Sequence, residues 1–126
     1  MPAFHKIDKQ HRLVLSTASG VFSFADIRLH HERLMRDPDF DPSFSQIADF
    51  RSVTGIEISA DEIRQIAQSS VFSPHSRRAL IMPNDSVYRL GRMYEILRGF
   101  QGEQGIRVVR SLEEALDWVH PKSVTT

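Results

Sequence analysis

The chain has 126 residues, with 16 basic side chains, 16 acidic ones and no cysteine. Its length sets a single domain over residues 1–126 with room for an apolar core. Balanced charge leaves no global field to draw in nucleic acid or an anionic membrane, and the lack of cysteine excludes disulfides, thiolate catalysis and cysteine-ligated metal sites.

The first residues, MPAFHKIDKQ, hold no apolar signal core, and no apolar run reaches membrane-spanning length. The expectation is a soluble cytoplasmic chain without membrane insertion. Phe4–Asp8 alternates apolar and polar residues, and Arg12–Ser19 is β-branched and largely apolar. The short polar turn between them predicts an antiparallel hairpin, ended by Gly20. Ser23 and Asp26 have the spacing of a capping box, with Phe22 and Ile27 as its hydrophobic staple. The helix they open carries Phe24, Ile27, His31 and Leu34 on one face and stops near Arg36, because Pro38 forbids continuation. After the acidic, proline-broken loop DPDFDPSF, Gln46–Phe50 is the next strand and Arg51–Ser59 a connection.

Ser59 and Glu62 form the clearest capping box, opening a second helix with Ile63, Ile66, Ala67 and Ser70 inward. A loop through Phe72–His75 leads to a strand over Arg78–Met82, a turn at Pro83–Asp85 and a helix to about Arg98. That helix presents Val87, Leu90, Gly91, Tyr94 and Leu97, and places Arg89, Arg92, Glu95 and Arg98 on its other faces. Glycine inside a helix costs about 1 kcal/mol against alanine, so Gly91 implies a close approach to the sheet. Gly99 or Gly102 caps the helix, Ile106–Val109 is a last strand, and Ser111 with Glu114 caps a final helix that Pro121 ends. Lys122–Thr126 reads as a frayed tail. The resulting order, ββαβαβαβα, predicts an α/β fold: a mainly parallel five-stranded sheet, an antiparallel N-terminal edge strand and about four helices.

Complete catalytic or metal-binding constellations are missing. There is no P-loop and no HExxH, and Gly99, Gly102 and Gly105 follow a helix rather than a strand, against the dinucleotide-binding pattern. Asp37, Asp39 and Asp41 imitate the start of a calcium loop, but Pro42 and Ala48 occupy its glycine and glutamate positions. His30 and His31 are adjacent on a helix, about 100° apart, and cannot chelate from one face. His75 beside Ser73 and Ser76 lacks a nucleophile elbow. No metal or cofactor is expected.

The candidate contact residues come from topology instead. Asp49 lies near the carboxyl end of a parallel strand, where open α/β sheets place ligands, with Arg51 and Ser52 behind it. It is also placed to pair with Arg51 or Arg78. The helix starts at Ser59 and Asn84 offer free N–H groups, and with Arg78 nearby they could hold a small anion. The turn Pro83–Asp85 completes this candidate set: Asp49, Arg51, Ser52, Ser59, Arg78, Pro83, Asn84 and Asp85.

Three stretches, DPDFDPSFSQIADFRSV, LGRMYE and SLEEALDWV, resemble the small stand-alone bacterial SpoIIAA-like proteins, whose fold is shared by STAS and CRAL-TRIO domains. The resemblance spans nearly the whole chain and implies that fold. It carries no activity with it. STAS antagonists are phosphorylated on a serine at a helix N-terminus in a D-S-S-G-like turn, and the matching turn here is Ile58-Ser59-Ala60-Asp61, which makes Ser59 the phosphorylation candidate. The leading expectation is a non-enzymatic domain that binds a protein partner or small ligand, with a homodimer as a candidate assembly. The alternatives are a partner-switching regulator phosphorylated at Ser59, and a small hydrolase or phosphoryl-transfer enzyme at the sheet's carboxyl edge.

Overall fold

The computed structural model describes residues 3–68 and 70–120. The expected tail after Pro121, and Pro121 itself, lie outside them. The elements are β1 (Ala3–Asp8), β2 (Leu13–Ser23), α1 (Phe24–Arg36), β3 (Ser45–Glu57), α2 (Ala60–Ile66), β4 (Arg78–Ile81), α3 (Asp85–Phe100), β5 (Ile106–Val109) and α4 (Leu112–Val119). They form one five-stranded sheet in the order β1-β2-β3-β4-β5, with β1 antiparallel to β2 and every other pair parallel. A mainly parallel five-stranded sheet with an antiparallel N-terminal edge strand and four helices is the predicted architecture.

Strand order equal to chain order has a geometric consequence. Parallel crossovers are right-handed, and crossovers that all step in the same direction put their helices on one face. Accordingly Leu34 of α1 packs with Val14 of β2, and Val87 of α3 packs with Ala48, Leu80 and Val108. The opposite face is covered by α4, whose Ala115 and Val119 bury Leu13, Ile47, Ala79, Ile81 and Val109. The two faces follow the period-two alternation of each strand. Fully burying side chains such as Ile47 and Leu34, which are 2 % and 0 % exposed, contributes about 1.5–3 kcal/mol each.

The helix starts are local and behave as their spacing requires. Ser23 accepts the Asp26 N–H while the Asp26 carboxylate accepts the Ser23 N–H, and Ser59 and Glu62 do the same. Asn84 and Ser111 cap α3 and α4 through their side-chain oxygens.

Strand boundaries differ from expectation by one residue at the starts of β1 and β3 and at the end of β4, and more informatively in three other places. Arg12 has φ +52° in the hairpin turn, so β2 begins at Leu13. Gly20 does not end β2. With φ +65° it absorbs a register shift against β3, a bulge that a residue with Cβ would adopt only under strain, and the strand runs on to Ser23. Opposite it, Arg51 and Ser52 belong to β3 rather than to a connection. Residues beyond Asp49 in β3 pair with β2 alone, because β4 ends at Ile81, the partner of Asp49. This half-exposed extension alternates weakly and reads like a loop in sequence.

Candidate ligand-binding site

Small side chains on the helix-facing side of the sheet, Ser16, Ala18 and Ala48, leave space beneath α1, α2 and α3. A cavity of about 120 Å³ occupies it. Its walls are mainly apolar, including Ile27, Ile63, Leu80, Val87 and Leu90, and the polar minority includes Ser16, His30, His31, Gln46, Asp49 and Arg78. Gly91 is also in the wall, where the helix presses on the sheet as its position predicts. A Cβ there would lie 2.9 Å from Met82 Cε and 3.2 Å from Val108 Cγ2.

One polar group is a hydrogen-bonded row. Gln46 Nε2 donates to Ser16 Oγ at 2.9 Å, and Ser16 Oγ lies 2.9 Å from His30 Nε2. All three residues are buried. With the Gln46 amide donating to the hydroxyl, the arrangement that pairs the Ser16 O–H has it donating to Nε2 and the imidazole proton on Nδ1. Nδ1 has no hydrogen-bond partner. Burial, and then the charges of His31, His5 and Arg33, hold the His30 pKa down to about 4, so the ring is neutral at pH 7. His31 is also lowered, first by burial and then by the positive charge of Arg78. The expected apolar face of α1 therefore needs a correction. His30, four residues before the buried Leu34, turns toward the small side chains of β2 and is the more deeply buried by accessible surface, while the half-buried His31 beside it also lines the cavity. His5 of β1 lies edge-on to it at 5.7 Å and is held by Asp37 at 2.8 Å.

The second polar group surrounds Arg78. This residue is 4 % exposed, and Glu103, which is 3 % exposed, accepts hydrogen bonds from both Arg78 and Arg98. Arg98 also donates to the Ala67 carbonyl at 2.7 Å, and Arg78 to Ser70 Oγ at 3.0 Å. The Phe72 ring lies 5.0 Å from the Arg78 guanidinium. Arg78 Nε has no hydrogen-bond partner. Arg98, expected on an outer face of α3, is instead buried; it follows Gly91 and Tyr94 at spacings of seven and four, which is the inward stripe.

Among the predicted contact residues, the structure brings Asp49 and Arg78 to the cavity and leaves the others outside its wall. Asp49 is engaged by Arg51, which donates to both carboxylate oxygens at 3.0 and 2.8 Å, and this side-chain pairing lowers its pKa. Arg51 and Ser52 are exposed on β3. Ser59 is exposed and occupied in capping α2. Pro83, Asn84 and Asp85 are exposed at the start of α3, where Asp85 pairs with Arg110 at 2.9 Å. Sequence reasoning misses Ser16, Gln46 and His30 as residues of the cavity wall, and Arg98 and Glu103 as the buried partners of Arg78. A polar residue inside the apolar run LVLSTAS is the available signal for Ser16.

Comparison with known proteins gives the fold. A solved structure of an uncharacterized DUF3478-family protein from Shewanella loihica PV-4, described as SpoIIAA-like, is similar over 93% of both chains with a TM-score of 0.59. The fold is SpoIIAA-like. Sequence identity to that protein is 14%, so the likeness extends to fold alone. No protein-family model matches this chain, and no curated protein matches it. Among the described residues, no helix is long and apolar enough to cross a membrane.

Proposed function

We propose that this SpoIIAA-like domain is a non-enzymatic cytoplasmic binding module, and that its cavity takes a small molecule with an apolar body and a hydrogen-bond acceptor at one end. The observation that carries this reading is that His30 and Arg78, two residues lining one mainly apolar cavity, each keep a buried side-chain nitrogen, Nδ1 and Nε, without a hydrogen-bond partner. Buried polar atoms without partners are uncommon and costly, and both are donors in the arrangement described. An apolar pocket with a few convergent polar groups is the usual form of a small-molecule site.

The other readings have less support. Ser16 and His30 resemble a nucleophile and its base, but in a catalytic triad the third group orients the imidazole. Here Gln46 contacts the hydroxyl, and Nδ1 has no orienting acceptor. A phosphate on Ser59 would face the carboxylate of Glu62, already bonded to the Ser59 N–H, with Asp61 adjacent.

The test uses benzamide and cyclohexanone, compact molecules that each present a carbonyl acceptor. Both should raise the melting temperature of the wild-type chain and shift amide resonances of Ser16, Ala48 and Arg78. Ala48→Leu, which fills the cavity from β3, should abolish both effects. No resonance shift at saturating probe would retire the reading.

A further inference from the structure

The ligand's acceptor end can be specified from charge. Arg78, Arg98 and Glu103 form a buried cluster of two cations and one anion. Glu103 is shared between both guanidinium groups, and the remaining contacts, Ser70 Oγ, the Ala67 carbonyl and the Phe72 ring, are neutral. A buried charge is costly unless paired. Asp49 borders the same cavity, but both its oxygens are engaged by Arg51. The cluster therefore retains one positive charge in excess, and the only side-chain nitrogen of Arg78 without a partner belongs to a residue of the cavity wall.

We infer that the cavity selects a small monocarboxylate anion, its charge matched to the excess positive charge of the Arg78 cluster and its compact apolar body lying against the walls formed by α2 and α3. One excess positive charge matches the one negative charge of a carboxylate. A phosphate monoester, close to two charges at neutral pH, exceeds the single positive charge available here. Dry cavities of about 150 Å³ accept a benzene ring, so a volume of about 120 Å³ limits the apolar body to a single ring or a short chain. This assignment rests on the cavity-binding reading above, and the experiment separates the two.

Benzoate and hexanoate are titrated calorimetrically into the full chain at pH 7.5, beside benzamide and hexanamide, which keep the shape and one carbonyl but lose the charge. Each acid should bind at least tenfold more tightly than its amide. In Arg78→Gln, which leaves Glu103 paired with Arg98, acid and amide should bind alike. Equal affinities of acid and amide for the wild-type chain overturn the carboxylate assignment and leave the cavity reading standing. Binding of neither overturns both. Retention of the acid preference in a folded Arg78→Gln chain also overturns the assignment, and if that variant does not fold, the wild-type ratio decides.

Discussion

Nε2 of His30 lies 2.9 Å from the Ser16 hydroxyl, and the imidazole is held neutral by its burial. The folded-state pKa is about 4 against an ordinary 6.5. Between those values the unfolded chain binds more protons, so the contribution is fully present above pH 6.5 and is lost as pH falls toward 4. His31 is shifted in the same direction. The lowered carboxylates Asp37 and Asp49 act only below their ordinary value of 3.8, outside this window. Urea unfolding should show about 2–3 kcal/mol less stability at pH 4.5 than at pH 7.5. His30→Gln should flatten most of that slope. A wild-type chain equally stable at both pH values would contradict the assignment.

Glu103→Gln should destabilise the fold by about 3–5 kcal/mol, the usual cost of stripping the counter-charge from a buried ion pair. Two guanidinium groups lose their anion at once. Chemical denaturation of this variant beside Arg98→Met, which leaves Arg78 and Glu103 as a balanced pair, tests the charge count. Arg98→Met should be the less damaged of the two.

Two glycines of α3 should respond in opposite directions. A Cβ added at Gly99 would meet nothing within 4 Å, so Gly99→Ala should stabilise by about 0.5–1 kcal/mol through helix propensity. Gly91→Val would press on Met82 and Val108. Met82 can swing its terminal methyl aside, but Val108 is stiff, and overpacking of this kind costs about 1–3 kcal/mol. Thermal and urea midpoints of both variants decide the signs.

Ser59→Ala should cost about 1 kcal/mol, because Ser59 Oγ accepts the Glu62 N–H at 3.1 Å and the Glu62 carboxylate, which accepts the Ser59 N–H, cannot replace that acceptor. A urea midpoint equal to the wild type would mean that α2 does not need this cap. Ser59→Asp keeps a capping oxygen and should recover most of the loss.

What was legible in the sequence follows the reach of each interaction. The helix starts at Ser23, Ser59, Asn84 and Ser111 depend on residues three apart, and spacing alone reveals them. The pairing of Asp49 with Arg51, two residues apart, is similarly local. Gly91 was legible because a glycine inside an amphipathic pattern needs a reason. The cavity's polar groups were not legible in this way. Ser16 meets His30 across 14 positions and Gln46 across 30, and Arg78 meets Glu103 across 25. Those encounters depend on strand register and on which face each strand presents. The burial of Arg98 was within reach of the helical period, but an arginine is read as a surface residue unless a buried carboxylate is known to wait for it.

The strand order has a bearing on how the chain is made. Each strand lies beside the one synthesised just before it, so a chain leaving the ribosome can add strands to a growing sheet one at a time. The helices between them close over one side as they emerge. The other side waits for α4, which appears after every strand. Until then the aliphatic row from Leu13 to Val109 is bare on the nascent protein, and that interval is when the chain is most exposed to chaperones and to self-association.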